Sequence, residues 1–143
     1  MRVELRDGPI TERMALGKLN TAGCGSTVLF TGRVRPSENG RRIDSLYYEC
    51  YRSMAEKLIS EILENAIRRY RLSDAAVIHR IGSVGAGELS IVVAVSSVRR
   101  REGFRACAGI VKSIKEKVPI WKKEIGEVEE WQSERVQEPK HRW

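Results

Sequence analysis

The sequence predicts an α+β fold with a largely antiparallel sheet, two long helices and a short N-terminal helix. Two observations favour this class. Strand-like segments come in consecutive pairs joined by turn signals, such as Asn39-Gly40 and the glycine-rich residues 82–88. Helical segments separate the pairs, which gives the order β-α-β-β-α-β-β-α-β-β. A length of 143 residues, 41% apolar and 31% charged, predicts a single domain over residues 1–143.

Seven segments carry the strand signal of β-branched and aromatic residues bounded by turn residues. They are residues 2–6, 27–34, 43–51, 75–81, 89–98, 120–125 and 131–136. In the third segment, the alternation of side chains along a strand places Leu46, Tyr48 and Cys50 on one face.

Three segments, residues 11–19, 53–70 and 102–117, show helical periodicity. Ser53 is the expected N-cap of the second helix, and Pro119 ends the third because proline lacks a backbone N–H. The expected apolar stripes are Met54, Leu58, Ile59, Ile62, Leu63, Ala66 and Ile67 in the second helix and Phe104, Cys107, Ala108, Val111 and Ile114 in the third.

Lysine and arginine outnumber aspartate and glutamate by 26 to 19, and many of the cations fall in three clusters. The clusters are Arg33, Arg35, Arg41 and Arg42; Arg99, Arg100, Arg101 and Arg105; and Lys112, Lys115, Lys117, Lys122 and Lys123. Clustered cations attract nucleic acid, acidic proteins or phosphorylated small molecules. Aromatic residues make up only 6% and do not interleave the arginine clusters, which disfavours a nucleic-acid platform.

The cysteines and histidines indicate neither a disulfide framework nor a metal site. Cys24, Cys50 and Cys107 are odd in number and far apart, which favours a reducing cytoplasm. With only His79 and His141 and no CxxC motif, the sequence indicates no zinc site and no cofactor. No apolar run is long enough for a membrane span, and charged residues interrupt the start, so we expect no signal peptide.

Two lysines flank a rigid break near the end of the chain. Lys115 lies near the end of the third helix, and Lys122 follows Pro119 and Trp121. A lysine beside another cation is more readily neutral, which suits it to act as a base, an acid or a nucleophile. The alternative is a solvated helix end whose lysines complement the helix dipole.

Two arginine groups are candidate anion sites. Arg99-Arg100-Arg101 open the third helix, where both guanidinium groups and backbone N–H groups attract phosphate. Arg33 and Arg35 alternate around Val34 and point to one side at a strand end. Each group is alternatively a set of solvated surface charges.

A set of short motifs in order makes the chain similar to a known family. They are FTGRVR at 30–35, LYYECY at 46–51, MAEKL at 54–58, HRIG at 79–82, FRAC at 104–107 and PIWKKE at 119–124. Together they resemble the large, catalytic subunit of molybdopterin synthase, the MoaE family. The resemblance extends from about Gly25 to the terminal Arg142-Trp143.

The resemblance implies an α/β-hammerhead fold and a sulfurtransferase in molybdenum cofactor biosynthesis. The family converts cyclic pyranopterin monophosphate into molybdopterin by installing two sulfurs as a dithiolene. The sulfur comes from the C-terminal thiocarboxylate of a small ubiquitin-like partner, whose tail enters the large subunit. Large subunits form a homodimer within a heterotetramer, in the cytoplasm.

The resemblance also implies site residues. The two active-site lysines of the family match Lys115 and Lys122. Its substrate-binding positions match Arg33, Val34 and Arg35, Lys123 and Glu124, and Arg99 and Arg100.

The chain departs from the family at one of these positions. Arg99 replaces the usual histidine of a His-Arg pair, and Gly103 replaces a nearby alanine. Arginine binds phosphate but does not exchange protons near neutral pH. A non-catalytic scaffold for the small partner is therefore an alternative, and a nucleic-acid-binding domain is a more distant one.

Overall fold

The computed structural model describes residues 1–127 and 130–133 of the chain, and within them lie eight strands and three helices. In chain order these are β1 (Arg2–Asp7), α1 (Glu12–Leu16), β2 (Ser26–Arg33), β3 (Ser37–Glu38), β4 (Arg41–Cys50), α2 (Arg52–Tyr70), β5 (Asp74–Gly85), β6 (Leu89–Ser97), α3 (Arg100–Lys117), β7 (Ile120–Gly126) and β8 (Glu130–Ser133). The predicted α+β class is confirmed, with β3 as an additional strand and α1 shorter than predicted. Residues 134–136 of the last predicted strand lie outside the described residues.

The strands form a mainly antiparallel sheet in the order β2-β6-β5-β4-β7-β8, with β1 parallel to β5 and β3 paired with β4. Strand β5 joins the two halves of the sheet. Residues 74–79 of β5 pair with β6, and residues 82–85 pair with β4. Gly82 stands where the partner strand changes and has a φ of 88°, a left-handed conformation that glycine adopts readily.

The helices cover both faces of the β5–β6 part of the sheet. Helices α2 and α3 contact each other and pack over the main core, which includes Val77 and Val93. Helix α1 packs over a smaller core that includes Ile78 and Val92. Because successive side chains of a strand point to opposite faces, these two cores lie on opposite sides of the sheet.

The buried face of α3 differs from the predicted one. Phe104 is 62% exposed and Ala108 is also exposed, so the prediction that they face the core was wrong. The buried residues of α3 are Gly103, Ala106, Cys107, Ile110, Val111 and Ile114. A Cβ on Gly103 would lie 3.0 Å from Ser97 Oγ and 3.1 Å from Val28 Cγ2. The absence of a side chain at Gly103 therefore lets α3 approach the sheet closely and turns Phe104 outward.

The start of α2 also differs from the prediction. The helix begins at Arg52 with Tyr51 at the N-cap position, and no side chain caps it. Strand β4 ends at Cys50, so a single residue separates strand from helix and Ser53 falls inside the first turn. Met54, predicted to face the core, is 53% exposed because Ala55 occupies the inward position.

Helices long and apolar enough to cross a membrane are absent from the described residues.

Candidate active site

A cleft of about 200 Å³ opens where the C-terminal end of α3 meets strands β2, β4 and β7. We call it the lysine cleft. It is lined by Phe30, Gly32, Arg33, Val34, Arg35, Glu38, Ile43, Leu46, Tyr48, His79, Ser90, Ile91, Val111, Ile114, Lys115, Lys122 and Glu124. Six of the predicted site residues are among them: Arg33, Val34, Arg35, Lys115, Lys122 and Glu124.

A buried turn brings the two lysines to the same cleft. Helix α3 ends at Lys117, and residues 118–120 are all buried. The Val118 N–H donates to the Ile114 carbonyl at 3.1 Å, and the Ile120 N–H donates to the Val118 carbonyl at 2.9 Å. The chain therefore passes from helix to strand over two buried residues, Val118 and Pro119, and both Lys115 and Lys122 line the cleft.

The two lysines that follow the turn, Lys122 and Lys123, lie on opposite faces of strand β7. Lys122 and Glu124 line the cleft, whereas Lys123 does not. Alternation along the strand explains the difference, because residues two apart share a face. Trp121, on the same side as Lys123, packs edge-to-face against Tyr51 with ring centroids 5.9 Å apart. Lys123 is therefore not a lining residue of this cleft, and its role in substrate binding stays a prediction.

The arginine side of the cleft is tied to the turn between β5 and β6. Arg33 donates from Nη1 to the Gly87 carbonyl at 2.9 Å. The buried Val34 is held from both sides, since its N–H donates to the Glu88 carbonyl at 3.0 Å and its carbonyl accepts from the Gly87 N–H at 2.7 Å. Arg35 pairs with Glu38 at 2.6 Å, and its side chain is 73% exposed. The arginine side of the cleft is thus ordered by both backbone and side-chain bonds.

Glu124 is a buried carboxylate in a cleft otherwise rich in cations. It is 3% exposed, and Arg41 lies 3.5 Å away across the sheet. Buried carboxylates are rare without a cationic or hydrogen-bonding partner, which Arg41 supplies. Arg41 itself is half-buried, so this pair fixes β4 and β7 beside the two lysines.

Known proteins match both the sequence and the fold of this chain. A sequence model described as MoaE protein matches residues 6–117. The molybdopterin synthase catalytic subunit of Thermoplasma volcanium is 42% identical over 123 residues, which cover 86% of this chain and 90% of the relative. This chain belongs to the MoaE family. The family assignment predicted from the motifs is therefore confirmed.

Two solved structures resemble the fold. The crystal structure of molybdopterin synthase from Staphylococcus aureus superposes with a TM-score of 0.86 at 34% identity, over 90% of this chain and 95% of that one. A complex of subunits 1 and 2 of molybdopterin-converting factor from Helicobacter pylori superposes with a TM-score of 0.73 at 19% identity, over 97% of this chain and 92% of that chain. The second likeness concerns the fold alone.

The arginine pair at the other end of α3 is not part of the cleft in this MoaE chain. Arg99 occupies the N-cap position of α3 and Arg100 begins the helix, and both are exposed. Fifteen residues separate Arg100 from Lys115, which at 1.5 Å per residue is about 22 Å along the helix. Within one copy of the chain, Arg99 and Arg100 therefore lie far from Lys115 along the helix, and their role in substrate binding stays a prediction.

None of the three cysteines lines the cleft. The Cys24 thiol lies 2.9 Å from the Ser73 hydroxyl in a surface loop. Burial raises the pKa of the Cys50 thiol, and burial raises the pKa of Cys107 to about 11. No group of three or more potential metal-ligating side chains occurs in residues 1–127.

Sequence reasoning missed four polar residues of the cleft: Glu38, Tyr48, His79 and Ser90. Alternation placed Tyr48 on the same face as Leu46 and Cys50 but did not show that this face opens into a cleft. His79 lies in an apolar strand, and that pattern does not indicate a cleft. These residues are found only from the way β3, β4, β5 and β6 meet in the fold, which the linear sequence does not show.

Proposed function

We propose that the lysine cleft converts cyclic pyranopterin monophosphate into molybdopterin, with sulfur supplied by the C-terminal thiocarboxylate of a small ubiquitin-like partner. MoaE family membership and the relative named molybdopterin synthase catalytic subunit make the chain an enzyme subunit of this class. The observation that carries the proposal is the convergence of Lys115 and Lys122 from separate elements on one cleft.

Lys115 and Lys122 supply the groups that act as an acid, a base or a nucleophile in the sulfur transfer. Lys115 works at the carbonyl of the thiocarboxylate and at the pterin, as acid and base or as a transient nucleophile. Lys122 assists proton transfer and orients the substrate. No thiol of this chain is needed, because the partner delivers the sulfur, and none lines the cleft.

The cations around the lysines suit an anionic substrate and an anionic tail. Arg33 and Arg35 border the cleft and offer guanidinium groups to phosphate or carboxylate oxygens. Val34 lines the cleft between these two arginines. Glu124 pairs with Arg41 beside the lysines. Substrate therefore binds with its phosphate toward the β2 end of the cleft.

Arg99 and Arg100 act on substrate only from a second copy of the chain. Their distance along α3 separates them from the lysines of their own copy. The homodimer that the family resemblance implies brings such a second copy, with one small partner at each end of the heterotetramer. Residues 1–143 form one catalytic-subunit domain in the cytoplasm.

Reconstitution tests the proposal. The purified chain is mixed with a thiocarboxylated small subunit and cyclic pyranopterin monophosphate, and the dithiolene product is quantified. We expect Lys115→Ala to lower the rate by at least about 100-fold, the usual scale for a lost acid–base group. Lys112→Ala is the matched control, because Lys112 lies on the same helix with a side chain 75% exposed and does not line the cleft.

Three outcomes would contradict the proposal. Full turnover by Lys115→Ala with an unchanged pH profile would remove Lys115 from the chemistry. A stable complex with the small subunit but no product would favour the scaffold alternative, and Arg99→His would then show whether the histidine usual in the family is the missing group. Steeply salt-dependent retention on RNA or DNA without product would favour nucleic-acid binding.

A further inference from the structure

The wall of the lysine cleft contains a histidine that the proposed chemistry does not use. His79 lies in β5, is 2% exposed and lines the cleft with Tyr48 and Lys122. Its Nδ1 lies 2.8 Å from the Arg80 carbonyl. Because a carbonyl only accepts hydrogen bonds, Nδ1 carries the proton, and the ring orientation is fixed by the backbone of the neighbouring residue.

The His79 ring packs against a second buried ring. Tyr48 is 4% exposed and contacts His79 edge-to-face, with centroids 5.2 Å apart and planes at 77°. Such aromatic pairs are favourable beyond the area they bury. Tyr48 lies opposite Gly82 in the pairing of β4 with β5, so no side chain on β5 competes for this position.

Tyr48 in turn lies beside one of the two lysines. In the antiparallel pair of β4 and β7, Tyr48 is directly opposite Lys122. Residues that are directly opposite share a face of the sheet, with Cβ atoms about 5 Å apart. A contiguous path therefore runs from the Arg80 carbonyl through the His79 ring and the Tyr48 ring to the base of the Lys122 side chain.

We propose that His79 is a positioning residue, which holds the Tyr48 ring against the cleft wall and thereby sets the orientation of Lys122. This inference rests on the proposed function, because it assumes that Lys122 takes part in sulfur transfer. An error in the position of a reacting group by about 1 Å costs up to about 100-fold in rate. His79 therefore affects the rate of sulfur transfer without contacting the substrate.

The test compares two substitutions of His79 in the reconstituted complex with the small subunit. His79→Leu removes the ring, whereas His79→Phe keeps a ring against Tyr48, and both remove the bond to the Arg80 carbonyl. We expect His79→Leu to lower kcat by about 10-fold to 100-fold with a smaller change in KM, and His79→Phe to lower it much less. Val77→Ala is the control, because Val77 is a fully buried residue of the same strand that does not line the cleft.

A double substitution separates positioning from a general loss of structure. In a Lys122→Ala background, His79→Leu is expected to cause no further loss of kcat, because its effect passes through Lys122. Full activity of His79→Leu, equal losses for Leu and Phe, or additive losses with Lys122→Ala would overturn the inference. If His79→Leu does not fold, Tyr48→Leu breaks the same path and is measured in its place.

The experiment also distinguishes this inference from the proposed function. Full activity of Lys122→Ala alone would mean that the assigned role of Lys122 fails. Loss of activity in Lys122→Ala with full activity in both His79→Leu and Tyr48→Leu would leave that role intact and reject only the positioning path.

Discussion

The two ends of α3 carry similar positive charge, but they differ in their exposure to solvent and in the residues that surround them. At the C-terminal end, Lys115 shares a cleft with residues from β2, β4 and β7. At the N-terminal end, Arg99, Arg100 and Arg101 are exposed, and the nearby Phe104 is 62% exposed. The comparison shows that, within one copy of the chain, a cluster of cations lines a cleft only where the fold adds walls and opposing groups.

The two buried carboxylates of residues 1–127 show the same contrast. Glu124 lines the cleft and pairs with Arg41. Asp74, at the start of β5, accepts from the N-terminal ammonium at 2.6 Å, from the Asn20 N–H at 2.8 Å and from the Ala75 N–H at 2.9 Å. Its oxygens are occupied by structural partners, so we assign Asp74 to stability and Glu124 to the cleft.

The largest expected effect separates two adjacent lysines. Lys122→Ala should lower the rate of dithiolene formation by about 100-fold, because Lys122 lines the cleft. Lys123→Ala should have a far smaller effect, because alternation places Lys123 on the other face of β7. Initial rates of the two variants at saturating small subunit check this, and equal losses would break the contrast between the two faces.

The next effect concerns stability at the N-terminal half of α3. Gly103→Val should destabilise the protein by about 2–3 kcal/mol, because its side chain would be forced against Ser97 and Val28. Gly109→Ala is the matched control, since a Cβ there would lie at an ordinary 3.4 Å from the Tyr70 hydroxyl. Alanine is the better helix former, so this control should be stabilised by up to about 1 kcal/mol.

Urea unfolding of both glycine variants gives these free energies. Activity per folded molecule should stay unchanged in both variants, because neither position lines the cleft. A Gly103→Val protein of normal stability would show that α3 does not approach the sheet as closely as described.

A smaller effect is the pH dependence of stability contributed by Asp74. Burial opposes its ionisation, but the ammonium and the two backbone N–H groups outweigh burial, and the pKa of Asp74 is lowered below the usual 3.8. A lowered pKa means that the carboxylate stabilises the fold fully above pH 3.8 and that this contribution is lost as the pH falls through the lower, folded-state value. Asp74→Asn should cost about 1.5 kcal/mol at pH 7 and flatten the acid limb of the stability curve.

Denaturant unfolding between pH 2 and pH 7 measures this effect. An Asp74→Asn protein with the wild-type acid limb would show that another carboxylate is responsible. A loss of turnover at pH 7 in the folded variant would instead place Asp74 in the chemistry.

The smallest expected effect is the change in turnover when two of the cysteine thiols are removed. A variant with Cys24→Ala and Cys50→Ser should keep wild-type turnover, because no cysteine lines the cleft. Cys107, with its pKa raised by burial to about 11, should resist alkylation of the native protein at pH 8. Mass spectrometry after alkylation checks the second statement, and loss of turnover in the double variant would contradict the first.

The strand and helix order could be predicted from the sequence because periodicity and turn residues are local signals. The inward face of α3 could not, since it depends on Gly103 lying against β2 and β6 rather than on the apolar character of Phe104. The start of α2 was missed for a similar reason, because β4 runs almost directly into it and leaves no room for a cap at Ser53.

The site was predictable where a motif spans one turn and not where separate strands meet. Lys115 and Lys122 are joined by the buried turn around Pro119, so their relation is local. The place of His79 and Tyr48 in the cleft depends on the change of partner strand at Gly82. The separation of Arg100 from Lys115 follows only once both are known to lie on one continuous helix.

Protection of lysines from chemical modification tests most directly whether the lysine cleft binds the substrate. The folded protein is labelled with an amine-reactive reagent, with and without saturating cyclic pyranopterin monophosphate, and the label on each lysine is quantified by mass spectrometry. We predict that substrate protects Lys115 and Lys122 and leaves Lys112 and Lys117 reactive. Unchanged labelling of Lys115 and Lys122 at substrate concentrations that give saturated binding would contradict the assignment of the cleft.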